Sequence, residues 1–126
     1  MIVRRRPATA GWIGIQDTPD ELQQWRGAIQ QELEKLESSR SIDDLEIASM
    51  IWLTITDEET DQTPRGKGTN LLVGTAAQIT DNLKRLKEAG LTMLLIWPPF
   101  QDVPVAKTLD DLKRLKEEIM PQVEAT

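Results

Sequence analysis

Gly74-Thr-Ala-Ala-Gln-Ile-Thr-Asp-Asn-Leu-Lys-Arg-Leu-Lys-Glu-Ala-Gly-Leu-Thr-Met-Leu-Leu-Ile-Trp97 is the stretch whose reading decides the fold. Thr75 and Gln78 form a capping box, in which a hydroxyl and an amide each satisfy an orphan backbone donor. Ile79, Leu83 and Leu86 follow at helical spacing and make one apolar stripe. Gly90 stands where a helix ends in a left-handed residue. Leu91 to Trp97 is then almost continuously apolar, the pattern of a strand buried on both faces. Helix, tight turn and buried strand together predict a parallel sheet covered by helices.

The same grammar extends in both directions. Downstream, Thr108-Leu-Asp-Asp111 predicts the start of a third helix, with Leu112, Leu115 and Ile119 on one face and Pro121 as its stop. Upstream, Thr18-Pro19-Asp20-Glu21 combines an N-cap hydroxyl, a proline in the first turn and a capping carboxylate. Leu22, Trp25, Ile29, Leu33 and Leu36 continue that helix as a stripe. Gly11 to Ile15 and Leu45 to Ile55 read as two further strands. Strand-helix alternation with right-handed crossovers predicts an α/β domain. Leu83-Lys-Arg-Leu-Lys-Glu88 returns as Leu112-Lys-Arg-Leu-Lys-Glu117, 29 residues later. The echo reads either as a repeated βα unit or as two amphipathic helices converging on one composition. Asp57 to Asn70, polar and containing Pro64, Gly66 and Gly68, is the main loop and is expected to be the most mobile segment.

With 126 residues the chain is expected to form one domain, with a real core but without room for an eight-unit barrel of about 250 residues. It carries 21 acidic and 15 basic residues, a net charge of −6, which disfavours nucleic acid and anionic membranes as partners. Arg4-Arg5-Arg6 is the one basic cluster and has no interleaved aromatics. Cysteine and histidine are both absent, which removes disulfides, thiol chemistry, the usual zinc sites and histidine-based nucleophile systems. The longest apolar run, Leu91 to Phe100, is about half of what spans a bilayer, and no signal-peptide pattern is visible, so a cytoplasmic location is expected.

Three patches resemble luciferase-like monooxygenases, flavin- or deazaflavin-dependent enzymes built on a (β/α)8 barrel. Arg4-Arg-Arg-Pro-Ala-Thr-Ala-Gly11-Trp12-Ile13 is similar to the family's arginine- and alanine-rich helix running into an Asp-Gly-Trp strand, with Ala10 in place of the aspartate. Thr18 to Leu53, with Asp43-Asp44-Leu45-Glu46 as lead-in, is similar to its long helix and following strand. Gly74 to Trp97 is similar to the Gly-Thr-Pro-Glu helix and Ala-Gly-Val-Asp strand that close the barrel, with Ala76 replacing the proline. The resemblance implies a partial (β/α) barrel of about three parallel strands and three main helices, matching only the carboxy-terminal part of the family's barrel. The part not matched supplies much of the family's flavin pocket. Open strand edges imply a homo-oligomer, a dimer in the first instance, or a separate partner chain.

Sites on βα architectures lie at the carboxyl ends of strands, here Gln16 and Asp17, Thr54 to Asp57 and Trp97 to Asp102. If a cofactor binds, FMN or F420 is the implied group, with Trp97, Trp12 and Thr54 as cofactor-binding candidates. The plainer reading of the tryptophans is core or interface bulk. Asp17 is a substrate-binding candidate, but an acid beside a helix N-terminus also serves the helix dipole. Arg65 and Lys67, in Arg65-Gly-Lys67-Gly-Thr69, could hold an anionic substrate, although this is not a Walker loop and also reads as a solvated loop. The chain is thus expected to be a luciferase-like domain without independent catalysis, acting as an oligomeric binding or scaffold module. The alternative is a flavin- or deazaflavin-dependent oxidoreductase whose pocket a second subunit completes.

Overall fold

The computed structural model describes residues 11–37, 41–63, 70–97 and 103–125. The chain is α/β, as its alternation predicts. Strand β1 (Gly11–Ile15) leads to helix α1 (Pro19–Lys35), and a 3-10 turn (Ile42–Asp44) feeds strand β2 (Glu46–Trp52). Two short strands follow, β3 (Thr54–Ile55) and β4 (Val73–Gly74), then helix α2 (Ala76–Glu88) and strand β5 (Met93–Trp97). Helix α3 (Val105–Arg114), a π-helical turn (Leu115–Ile119) and helix α4 (Met120–Glu124) complete it.

The main sheet has the order β1-β2-β5, all parallel, so neighbours in sequence are neighbours in space. Trp12 stands opposite Ile47 and Ile15 opposite Met50, while Ser49 faces Leu94 and Trp52 faces Trp97. The predicted strand Leu45 to Ile55 is present with a break at Leu53, beyond which β3 takes β4 as its parallel neighbour. That second, two-stranded sheet was not foreseen. Its residues are too few to give a periodic signal.

Side chains alternate across a strand, so the register sorts the sheet into two faces. Trp12, Ile47, Ile51, Leu94 and Ile96 join the core cluster with Leu22 of α1, Ile79, Leu83 and Leu86 of α2, and Leu115, Ile119 and Val123. The opposite face carries Ile13, Ile15, Ala48, Met50, Trp52, Met93 and Leu95, and none of them joins that cluster. Ile15 and Met93 are about half exposed. The described helices therefore pack on one face of the sheet, and no described helix covers the apolar opposite face.

The first two helix starts are as read. Thr18 with Glu21 and Thr75 with Gln78 both close reciprocal capping boxes. The third helix corrects the expectation at both ends. It begins at Val105 after Pro104, and the N–H of Thr108 already donates to the Pro104 carbonyl, so Thr108 lies inside it. Pro121 does not stop the chain's helical course but sits in the first turn of α4. Proline lacks an N–H, and its ring collides with the carbonyl four residues back. The π turn widens the helix just before it, with the Met120 N–H reaching Leu115 O, and so accommodates the ring. Among the described residues no helix is long and apolar enough to cross a membrane.

Two glycines show opposite constraints. Gly90 has φ +108° and its missing Cβ leaves room for the Arg26 side chain, whereas a Cβ on Gly27 in α1 would meet nothing within 4 Å. Gly27→Ala is therefore expected to stabilise the protein by about 0.4–1 kcal/mol by restricting the unfolded chain. Gly90→Ala is expected to cost about 1–2 kcal/mol for the left-handed backbone alone. Urea unfolding midpoints of the two variants should move in opposite directions.

Candidate functional site

The carboxyl ends of β1 and β2 carry a group of buried polar side chains. Where β1 ends, Gln16 adopts a left-handed φ of 53°. Its N–H still donates to Met50 O at 2.9 Å, but its side chain then takes over from the strand, Oε1 accepting from the Trp52 N–H at 3.4 Å. One step further, the Thr54 N–H finds Leu72 O at 2.9 Å and the Thr56 N–H finds Gly74 O at 2.7 Å. Gln16 thus bridges the gap between the end of β1 and the start of β4. Its Nε2 is buried without a hydrogen-bond partner. A left-handed non-glycine residue and an unmatched buried donor each cost about 1–3 kcal/mol, so other packing must hold Gln16 in place.

Asp17 is 0% exposed. Its carboxylate accepts from Ser49 Oγ at 2.9 Å and lies over Gly14, where a Cβ would overlap it. Ser49 is the one polar residue inside the apolar run Ile47 to Trp52, a signal visible in the sequence once the strand is placed. The aspartate is therefore buried against β1 and β2, one residue before the N-cap of α1.

The aromatic candidates separate. Trp12 lies on the helix-covered face, its ring centroid 4.6 Å from that of Trp25 and inclined by 33°, with Nε1 buried and unpartnered. Its register partner Ile47 precedes Thr54 by seven residues, about 23 Å of extended chain at roughly 3.3 Å per residue. The fold does not bring Trp12 and Thr54 together. Trp97 is opposite Trp52, two positions before Thr54, so the backbones of these two candidates do lie at the same end of the sheet. Arg65 and Lys67 lie outside the described residues, as do Arg4 to Arg6 and Asp102.

The described part of the polar loop is tied down. The Gln78 carboxamide accepts from the N–H groups of Thr60 and Thr75, both at 3.1 Å, and donates to Thr60 O at 3.0 Å. Thr60 Oγ1 donates to Val73 O at 2.6 Å, and Asn70 Nδ2 donates to the carbonyls of Asp61 and Thr63. One cap residue thus anchors both a helix and a loop. Beside it, a cleft of about 430 Å³ is lined by Thr18, Pro19, Asp20, Gln62, Leu71, Asn82 and Arg85, with one carboxylate and one guanidinium among them. Among the described residues no three acidic side chains converge as a metal site would require.

A second unforeseen group lies on the β5 side of the same rim. Asp111, 2% exposed, accepts from the Ile55 N–H at 3.2 Å. Lys107 donates to Ile55 O at 2.7 Å and pairs with Asp111. The sequence marks the two only as residues four apart on a helix, and the cap reading of Asp111 concealed its inward role. Compared with known proteins, the chain matches no family model and no curated protein.

The contacts described here are structural ones: the Gln16 amide and the Asp111 carboxylate close backbone N–H groups at the strand ends, and the Lys107 ammonium closes a carbonyl. Ser49→Ala would leave the buried Asp17 carboxylate without its hydroxyl donor and is expected to cost about 1–3 kcal/mol. Chemical denaturation should register that loss, with a far-UV circular dichroism spectrum unchanged from the parent's.

Proposed function

We propose that the chain is a partial barrel of the luciferase-like kind, working as an oligomeric binding or scaffold module without independent catalysis. The observation that carries this reading is the apolar sheet face without a described helix on it. Ile13, Ile15, Met50, Trp52, Met93 and Leu95 occupy the side of the main sheet that no described helix covers. Burying such a face gains roughly 25 cal/mol per Å² of apolar area, and a second copy is the partner favoured. The engagement of Asp17 by Ser49, and of Asp111 by Lys107 and Ile55, adds support, because both carboxylates already have structural work. The proposed setting is the cytoplasm, with neither nucleic acid nor membrane as partner, in keeping with the net charge of −6.

The second reading is a flavin- or deazaflavin-dependent oxidoreductase whose pocket forms across two subunits. It draws on Trp52, half-buried on the open face near the carboxyl ends of the strands with Trp97 as register neighbour. An indole there could stack on the ring of FMN or F420, with the cofactor supplying the redox chemistry.

Light scattering with visible absorbance recorded in parallel tests both. The scaffold reading expects a colourless species of twice the chain mass that Met50→Lys converts to monomer. A monomeric parent protein would refute it. Flavin-like absorbance that co-elutes with the dimer and disappears in Trp52→Ala would transfer the case to the oxidoreductase.

A further inference from the structure

Helix α3 is attached to the domain differently from the turn that follows it. Asp111 is its sole buried residue, while Val105 and Leu109 are 73% and 61% exposed. The π turn and α4, by contrast, bury Leu115, Ile119 and Val123 in the main core cluster. What holds α3 to the rim is polar: Asp111 takes the Ile55 N–H, and Lys107 takes the Ile55 carbonyl and pairs with Asp111. The pair does for Ile55 what a neighbouring strand would do. The widened helical turn lies between the polar attachment and the apolar one.

We infer that α3 is a hinged lid over the carboxyl ends of the strands, latched by Lys107 and Asp111 on the Ile55 backbone and pivoting at Leu115–Ile119. Each element of the device has its own physical basis. On opening, the groups of the polar latch regain hydrogen bonds from water, whereas a buried apolar anchor only loses its contacts, so the two halves of the helical segment open with different free energies. A π turn is a local departure from regular helix hydrogen bonding and is a natural point of bending. Opening costs α3 little apolar contact, because its large side chains already face solvent. It frees the N–H and carbonyl of Ile55 at the end of the sheet where βα architectures place their sites. This goes beyond the scaffold reading and does not depend on the oligomeric state.

Amide hydrogen exchange on the full chain tests the inference. Amides of 107–114 should exchange at least about tenfold faster than those of 119–124. Asp111→Ala should speed exchange of 107–114 and of the Ile55 amide by a further tenfold or so, leaving 46–52 and 79–88 at parent rates. Asp111→Asn, which keeps the shape and one acceptor, should fall between. Exchange of 107–124 as one unit in the parent protein would overturn the hinge. Equal acceleration across sheet and helices in both variants, or no acceleration in either, would overturn the latch.

Discussion

Every backbone donor and acceptor along Glu46–Ile55 has to be matched, and much of the described architecture follows from that requirement. A parallel strand presents alternate residues to each side, so the central strand needs a neighbour on both flanks along its whole length. β5 supplies this only as far as Trp52, and β1 only as far as Met50. Beyond that point the protein improvises. Gln16 covers one amide with its side chain, Leu72 and Gly74 at β4 supply the next two carbonyl partners, and α3 lends a carboxylate and an ammonium to Ile55. The polar groups at this rim are thus explained first by unfinished strand pairing.

The same requirement accounts for what could and could not be read from the residues. Local chemistry was legible: capping boxes at Thr18 and Thr75, the left-handed Gly90, and apolar runs that became β1, β2 and β5. Long-range hydrogen bonding was not. Asp111 satisfied a good cap pattern at Thr108, but the carboxylate is used 56 residues away in sequence, on Ile55. Asp17 reads as a substrate-binding candidate at a strand end or as an acid serving a helix dipole, and neither reading points to Ser49, the hydroxyl in a hydrophobic strand that donates to its carboxylate. Trp12 is a candidate as a stacking indole and Thr54 as a residue at a strand's carboxyl end, and register and face separate the two. Periodicity says which side chains turn inward together and is silent about which strand stands beside which.

Pro121 shows how a rule of helix termination yields to packing. Proline opposes continuation through its ring and its missing donor, yet Ile119 and Val123 on either side of it are both buried. Ending the helix there would have left the second of these without its place against α2. The widened turn reconciles the two demands locally, and Leu115, Ile119 and Val123 keep their common side.

The contact between Trp12 and Trp25 has an optical corollary. The chain has four tryptophans and no tyrosine, so its near-ultraviolet signal is almost wholly indole in origin. Two of those indoles lie 4.6 Å apart, one on β1 and one on α1, close enough for their transition dipoles to couple. Their coupled band is therefore a built-in gauge of whether the first strand and first helix are docked, independent of events at β5 or α3. A spectrum taken during refolding would time the assembly of this corner without any added label.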